Sequence, residues 1–196
     1  MAPGRYPESV ADLDPVTPDE KHWTWTLTRR CEDCGLAAGE VDPGTVAERA
    51  FVAAEEWVQI LQSHPAVEAR PAPGVWSPLE YGCHVRDVYR IADARIASML
   101  VEDAPRFPNW DQDETAVLER YADADPEGVA AELEDAAQAL VARLQGVAPA
   151  DRARTGLRSD GAEFTVASLS QYVLHDVVHH LWDVTGQQDG AASLLE

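Results

Sequence analysis

Four segments of this chain repeat apolar residues at intervals of three and four, the spacing that puts them on one side of an α-helix. In residues 45–62 the stripe is Val46, Ala50, Phe51, Ala54, Trp57, Val58 and Leu61, entered through Asp42-Pro43-Gly44-Thr45 with Thr45 and Glu48 at capping-box spacing. His64-Pro65 ends it, and the Pro-rich stretch 65–74 reads as a linker. The second helix starts at Ser77 as N-cap with Pro78 in the first turn and Glu80 completing a capping box, and carries Tyr81, Val85, Val88, Tyr89, Ala92, Ile96 and Met99 to about Val101. The third opens at Asp125-Pro126 and runs to about Leu144 with Val129, Leu133, Ala136, Leu140 and Leu144 inward; the fourth starts between Thr165 and Ser168 and stops at Gly186. Such stripes are buried most simply against one another. The expected fold is an all-α four-helix bundle.

The last helix also concentrates metal-binding chemistry. Half of the six histidines fall within residues 175–180. Residues four apart lie one above the other on a helix, so His175 with His179, or Asp176 with His180, could give two ligands to one ion. On a helical wheel Val166, Val173, Val177, Leu181 and Val184 centre the apolar face. Asp176 and His180 sit at its edge, while His175 and His179 lie nearly opposite. Sites within bundles are built from inward side chains, which favours Asp176 and His180 as ligands. Asp183 lies on the same side, able to orient a ligand from behind or to act as an acid/base group, and His175 and His179 are the second-choice pair. In the second helix His84 borders the apolar stripe, in line with Val88, Ile91 and Arg95.

The connections are less explicit. Residues 1–22 read as an extended arm, and His22–Thr28 alternates Trp or Leu with Thr as a short strand would. Cys31-Glu32-Asp33-Cys34-Gly35 is half of a zinc knuckle or a redox pair, with no second CxxC to complete it. Residues 1–44 thus form an arm with a CxxC loop packing on a bundle of residues 45–196. Cys83 falls off the stripe and reads as a small packing residue. The acidic stretch 102–126 is a long loop with a short helical piece, placing Trp110 near the mouth of any pocket. Residues 146–163 are a connection with a turn at Arg158–Gly161.

Charge narrows the partners. With 35 acidic against 15 basic residues, a net charge of −20, the surface repels phosphate backbones and argues against nucleic-acid binding. No apolar run reaches the ~20 residues that span a bilayer and the N-terminus lacks a signal-peptide core, so the expected location is cytoplasmic, as a monomer or homodimer. Three cysteines are too few and odd in number for a secreted disulfide scaffold.

Trp76-Ser77-Pro78-Leu79-Glu80…His84, together with His179-His180 and Asp183, resembles the helix-2 and terminal motifs of the DinB-like metalloprotein superfamily, over about residues 45–186. The resemblance implies a four-helix bundle of DinB type with a crossover connection, and His84, Asp176 and His180 as ligands of a divalent metal such as Zn²⁺ or Ni²⁺. A register slipped by one residue gives His84, His175 and His179. The acidic middle ligand is similar to the mycothiol-dependent maleylpyruvate isomerase type. It implies mycothiol or another low-molecular-weight thiol as cosubstrate, a small electrophilic substrate, and an actinobacterial source. On that reading Asp183 and Tyr172 handle protons, and Arg95 or Arg158 clamps a carboxylate. The same ligands could run hydrolysis. The other expectations are a non-enzymatic binding bundle and a regulator built on Cys31 and Cys34.

Overall fold

The computed structural model describes residues 16–17 and 22–187; the expected arm of residues 1–22 lies almost wholly outside them. Four long helices carry the fold: α1 (Val46–Ser63), α2 (Pro78–Val101), α4 (Pro126–Gln145) and α5 (Val166–Thr185), with a short α3 (Gln112–Leu118) between α2 and α4. Helices α1 and α2 each pack against both α4 and α5. The bundle order is therefore α1–α4–α2–α5, and helices joined directly in sequence, α1 with α2 and α4 with α5, sit across the diagonals. Linker 64–77 makes the first of these crossings.

The buried residues follow the stripes. Trp57, Leu79, Tyr89, Ile96, Met99, Leu133, Leu140, Leu169 and Leu174 are almost fully enclosed, each fully buried large side chain contributing about 1.5–3 kcal/mol relative to exposure. Two buried side chains tie helices through polar atoms: Trp57 Nε1 donates to Val177 O at 3.2 Å, and Tyr89 OH donates to Ala50 O at 2.7 Å. Phe51, read as part of the α1 stripe, is instead 39 % exposed.

The start of α2 is fixed as the sequence implies. Ser77 Oγ accepts from Glu80 N, and the Glu80 carboxylate accepts from Ser77 N, closing a capping box. Glu80 is also paired with Arg70 from the linker. The box expected at α1 does not form: Thr45 adopts helical backbone angles and its hydroxyl donates to Asp42 O, so it cannot reach Glu48 N. Helix α5 is capped by Thr165 and Ser168 and ends at Gly186, whose φ of +66° suits a residue without a Cβ.

Three local expectations are corrected. Trp23–Leu27 is a 3₁₀ helix rather than a strand, because Thr26 and Thr28 hydroxyls bond back to the carbonyls of Trp23 and Trp25, closing three-residue turns. The connections hold a small sheet: β1 (Arg106–Phe107) parallel to β2 (Thr155–Arg158), itself antiparallel to β3 (Glu163–Thr165). This sheet places Arg158 and Trp110 beside the bundle. Finally, the α5 face opposite the apolar stripe is covered. Residues 23–41 lie across it, held by Gln171 Nε2 donating to Val41 O at 2.7 Å. No described helix is long and apolar enough to cross a membrane.

Candidate metal centre

Helix α2 carries His84 inward, fully buried, to meet the edge of α5. His84 Nε2 lies 3.2 Å from Asp176 Oδ1, and His180 Nε2 lies 3.6 Å from the same oxygen. One potential ligand atom from each residue falls within 4.8 Å of the others. Around a tetrahedral ion with bonds of about 2.0–2.1 Å, neighbouring N and O ligands stand about 3.3–3.4 Å apart. The two imidazole nitrogens, at 3.2 and 3.6 Å from Asp176 Oδ1, bracket that spacing. The structure brings His84 together with Asp176 and His180, whereas His175 and His179 gather elsewhere.

Protonation suits a cation. Burial lowers the His84 pKa more than hydrogen bonding to Asp176 raises it, so the imidazole is neutral near pH 7. Burial by itself would raise the Asp176 carboxyl, but the hydrogen bond and proximity of His84, with His180 and His175, hold it down at about 2. One carboxylate and two imidazoles fit Zn²⁺ or Ni²⁺, and three ligands leave positions open.

The surroundings orient these groups. His180 Nδ1 donates to Asp183 Oδ2 at 2.7 Å, so Asp183 acts on the back of a donor imidazole. The Trp110 indole stacks on His84 with rings 8° from parallel and centroids 5.0 Å apart. Its loop is pinned by Arg95 donating to Pro108 O, Asn109 N donating to Ser159 Oγ, and Trp110 Nε1 donating to Thr115 Oγ1. Tyr81 from α2 packs on His180 at 5.0 Å.

Two cavities adjoin the donors. The larger, about 390 Å³, is lined by Arg95, Trp110, Arg158, Tyr172 and Asp176. The smaller, about 210 Å³, touches His180 and Asp183 beside Trp76 and Tyr81. The larger one sets two guanidinium groups, Arg95 and Arg158, among the carboxylates of Asp111, Asp113, Asp160 and Asp176. Burial and the nearby Arg158 lower Arg95 only to about 10, so it stays charged, and among the described residues no carboxylate pairs with it. Arg158 pairs with Asp160 at 2.8 Å and also bonds to Tyr172. Burial, then the charge of Asp176, raises the Tyr172 pKa, so its hydroxyl keeps its proton at neutral pH.

Cys31 and Cys34 lie under the α5 face that carries His175 and His179, all four side chains being buried. The helical wheel put those two histidines outside; the chain segment that covers them cannot be read from helix periodicity. Burial pushes the Cys34 thiol up to about 12 and the His175 imidazole down to about 4. Cys83 is fully buried, its thiol directed at Tyr121 O.

The family model of the DinB superfamily matches residues 47–184. The chain belongs to the DinB superfamily. Among solved structures it is similar to YfiT from Bacillus subtilis, described as "a probable metal-dependent hydrolase with an unusual four-helix bundle topology". The match has a TM-score of 0.62 at 21 % identity and covers 74 % of this chain and 82 % of that one. At that identity the likeness shows the fold. No curated protein matches the chain.

Proposed function

We propose that this DinB-like protein is a metal-dependent enzyme that joins a low-molecular-weight thiol of the mycothiol type to a small anionic electrophile, as an S-transferase or a thiol-dependent isomerase. The observation that carries the reading is that two cavities adjoin one set of donors, giving room for two reactants, and that the larger is lined by Arg95, which forms no ion pair with a carboxylate among the described residues. His84, Asp176 and His180 would hold the metal. When bound, a divalent ion supplies a Lewis acid that keeps a thiol as its nucleophilic thiolate near neutral pH.

The chain's own groups do the rest. Arg95 and Arg158 bind and orient a carboxylate, which a hydrogen-bonded cation holds with about 1.5–3 kcal/mol. Tyr172, kept protonated, donates to charge that develops on the substrate. Asp183 fixes the tautomer of His180. The stacked Trp110 keeps water from the inner face of His84.

A second reading, hydrolysis on the same ligands, is favoured by the description of the similar YfiT structure. The two separate in one experiment. Zinc- or nickel-loaded protein is given a cis-configured 2-oxo-enoate with and without a small thiol, and products are followed by NMR. Thiol-dependent isomerisation or thioether formation, with Arg95→Gln raising KM at least tenfold, is the expected result. Turnover of carboxylic-ester or amide substrates without thiol selects hydrolysis, and no turnover in either assay contradicts both.

A further inference from the structure

The two cysteines left over from the sequence meet the two histidines that the wheel placed on the wrong side. Cys31-x-x-Cys34 and His175-x-x-x-His179 are separated by 140 residues, yet one ligand atom from each lies within 4.8 Å of the other three. All four side chains are buried, at 0, 1, 2 and 7 % exposure. Cys31 Sγ stands 3.6 Å from His179 Nδ1. In a tetrahedral site with Zn–S of about 2.3 Å and Zn–N of about 2.0–2.1 Å, sulfur and nitrogen stand about 3.5–3.6 Å apart.

We propose that Cys31, Cys34, His175 and His179 form a second cation centre, closed and structural, which takes a zinc-type ion and fastens residues 23–41 to α5.

Four further observations support it. His175 Nε2 is buried with no hydrogen-bond partner among the described residues, an arrangement that costs about 1–3 kcal/mol unless a ligand fills it. The far nitrogen of His179 lies 3.9 Å from Asp183 Oδ1, so a carboxylate faces the back of that imidazole. The loop has the form of a knuckle: Gly35, at φ +80°, donates to Cys31 O, and Cys31 N–H bonds to Leu36 O. Trp23 covers the histidines, with its ring 5.6 Å from His175 and 4.8 Å from His179. Four protein ligands complete a tetrahedral ion. A reactive redox pair needs accessible sulfur, and both of these sulfurs are enclosed.

The consequence is positional. His179 and His180 are neighbours on α5, and Asp183 contacts both, so an ion clamping the arm also sets how α5 presents Asp176 and His180. Binding exchanges two thiol protons for one divalent ion. The two thiolates cancel its charge, and the protons leave to solvent.

The proposal does not depend on which reaction the other centre runs. The full-length protein is titrated with Co²⁺, whose tetrahedral thiolate complexes show a sulfur-to-cobalt charge-transfer band, and its zinc content is measured in parallel. The band is expected in the wild type and in His84→Ala, which removes a donor of the other centre, and is expected to be lost in Cys31→Ser/Cys34→Ser together with one zinc per chain. A saturated wild type without the band, or a band that survives the double substitution, overturns the proposal. Should the double variant not fold, the wild-type spectrum decides alone.

Discussion

On this account Asp183 is not a metal ligand but lies behind His180, with His179 3.9 Å from its other oxygen, so its substitution reads how firmly those imidazoles are held. Its Oδ2 accepts from His180 Nδ1 at 2.7 Å, leaving Nε2 facing Asp176. Asp183→Asn keeps an acceptor in place but removes the charge, while Asp183→Ala removes both. Loss of such a partner behind a metal-bound histidine lowers metal affinity or activity by about 10- to 100-fold, or about 1.4–2.7 kcal/mol. The expected order is about tenfold for Asp183→Asn and nearer a hundredfold for Asp183→Ala. Calorimetric titration with Ni²⁺ or Zn²⁺ measures it, and His84→Ala run alongside identifies the component that belongs to this centre. Affinities of both Asp183 variants within twofold of the wild type would refute the reasoning, because an untethered imidazole would then bind as well as an oriented one.

Two further outcomes test the frame of the site. Burial, then the charge of His179, lowers the folded His175 pKa to about 4 from its usual 6.5. The unfolded chain therefore takes up that proton first, and metal-free protein should lose about 3 kcal/mol as the pH falls from 6.5 to 4. Urea unfolding at a series of pH values checks this, and stability that does not change over that window contradicts it. Glu80→Ala leaves Arg70 without its carboxylate and opens the α2 capping box one turn before His84, so it should cost about 3 kcal/mol in thermal or urea unfolding; a loss under 1 kcal/mol would place the pair at the surface in effect.

The bundle and half of the site were legible because both rest on local rules. Helix α2 was readable from Ser77, Pro78 and Glu80, and its stripe put His84 at the border of the apolar face, whereas the structure buries it fully. The wheel separated Asp176 and His180 from His175 and His179 because a bundle interior has one direction on each helix. The same reasoning failed for the second pair, since the cover over that face comes from residues 23–41, far away in the chain. Trp23 and Trp25 alternate as in a strand, yet Thr26 and Thr28 bond back to their own turn, a competition that period-2 patterning does not register. Strands β1 to β3 are two to four residues long, too short for a period-2 pattern to show, and β1 pairs with β2 across 51 residues of chain. Trp110 was expected near the mouth of a pocket, but only the fold reveals that it stacks on His84.

The central claim is that His84, Asp176 and His180 share an ion with coordination positions to spare. An anomalous-difference map of crystals soaked in Zn²⁺ and recorded at the metal edge tests this most directly. The account predicts a peak within bonding distance of His84 Nε2, an Asp176 carboxylate oxygen and His180 Nε2, with non-protein density completing its coordination. A saturated crystal with no peak there, or with the peak bound by other side chains, contradicts it.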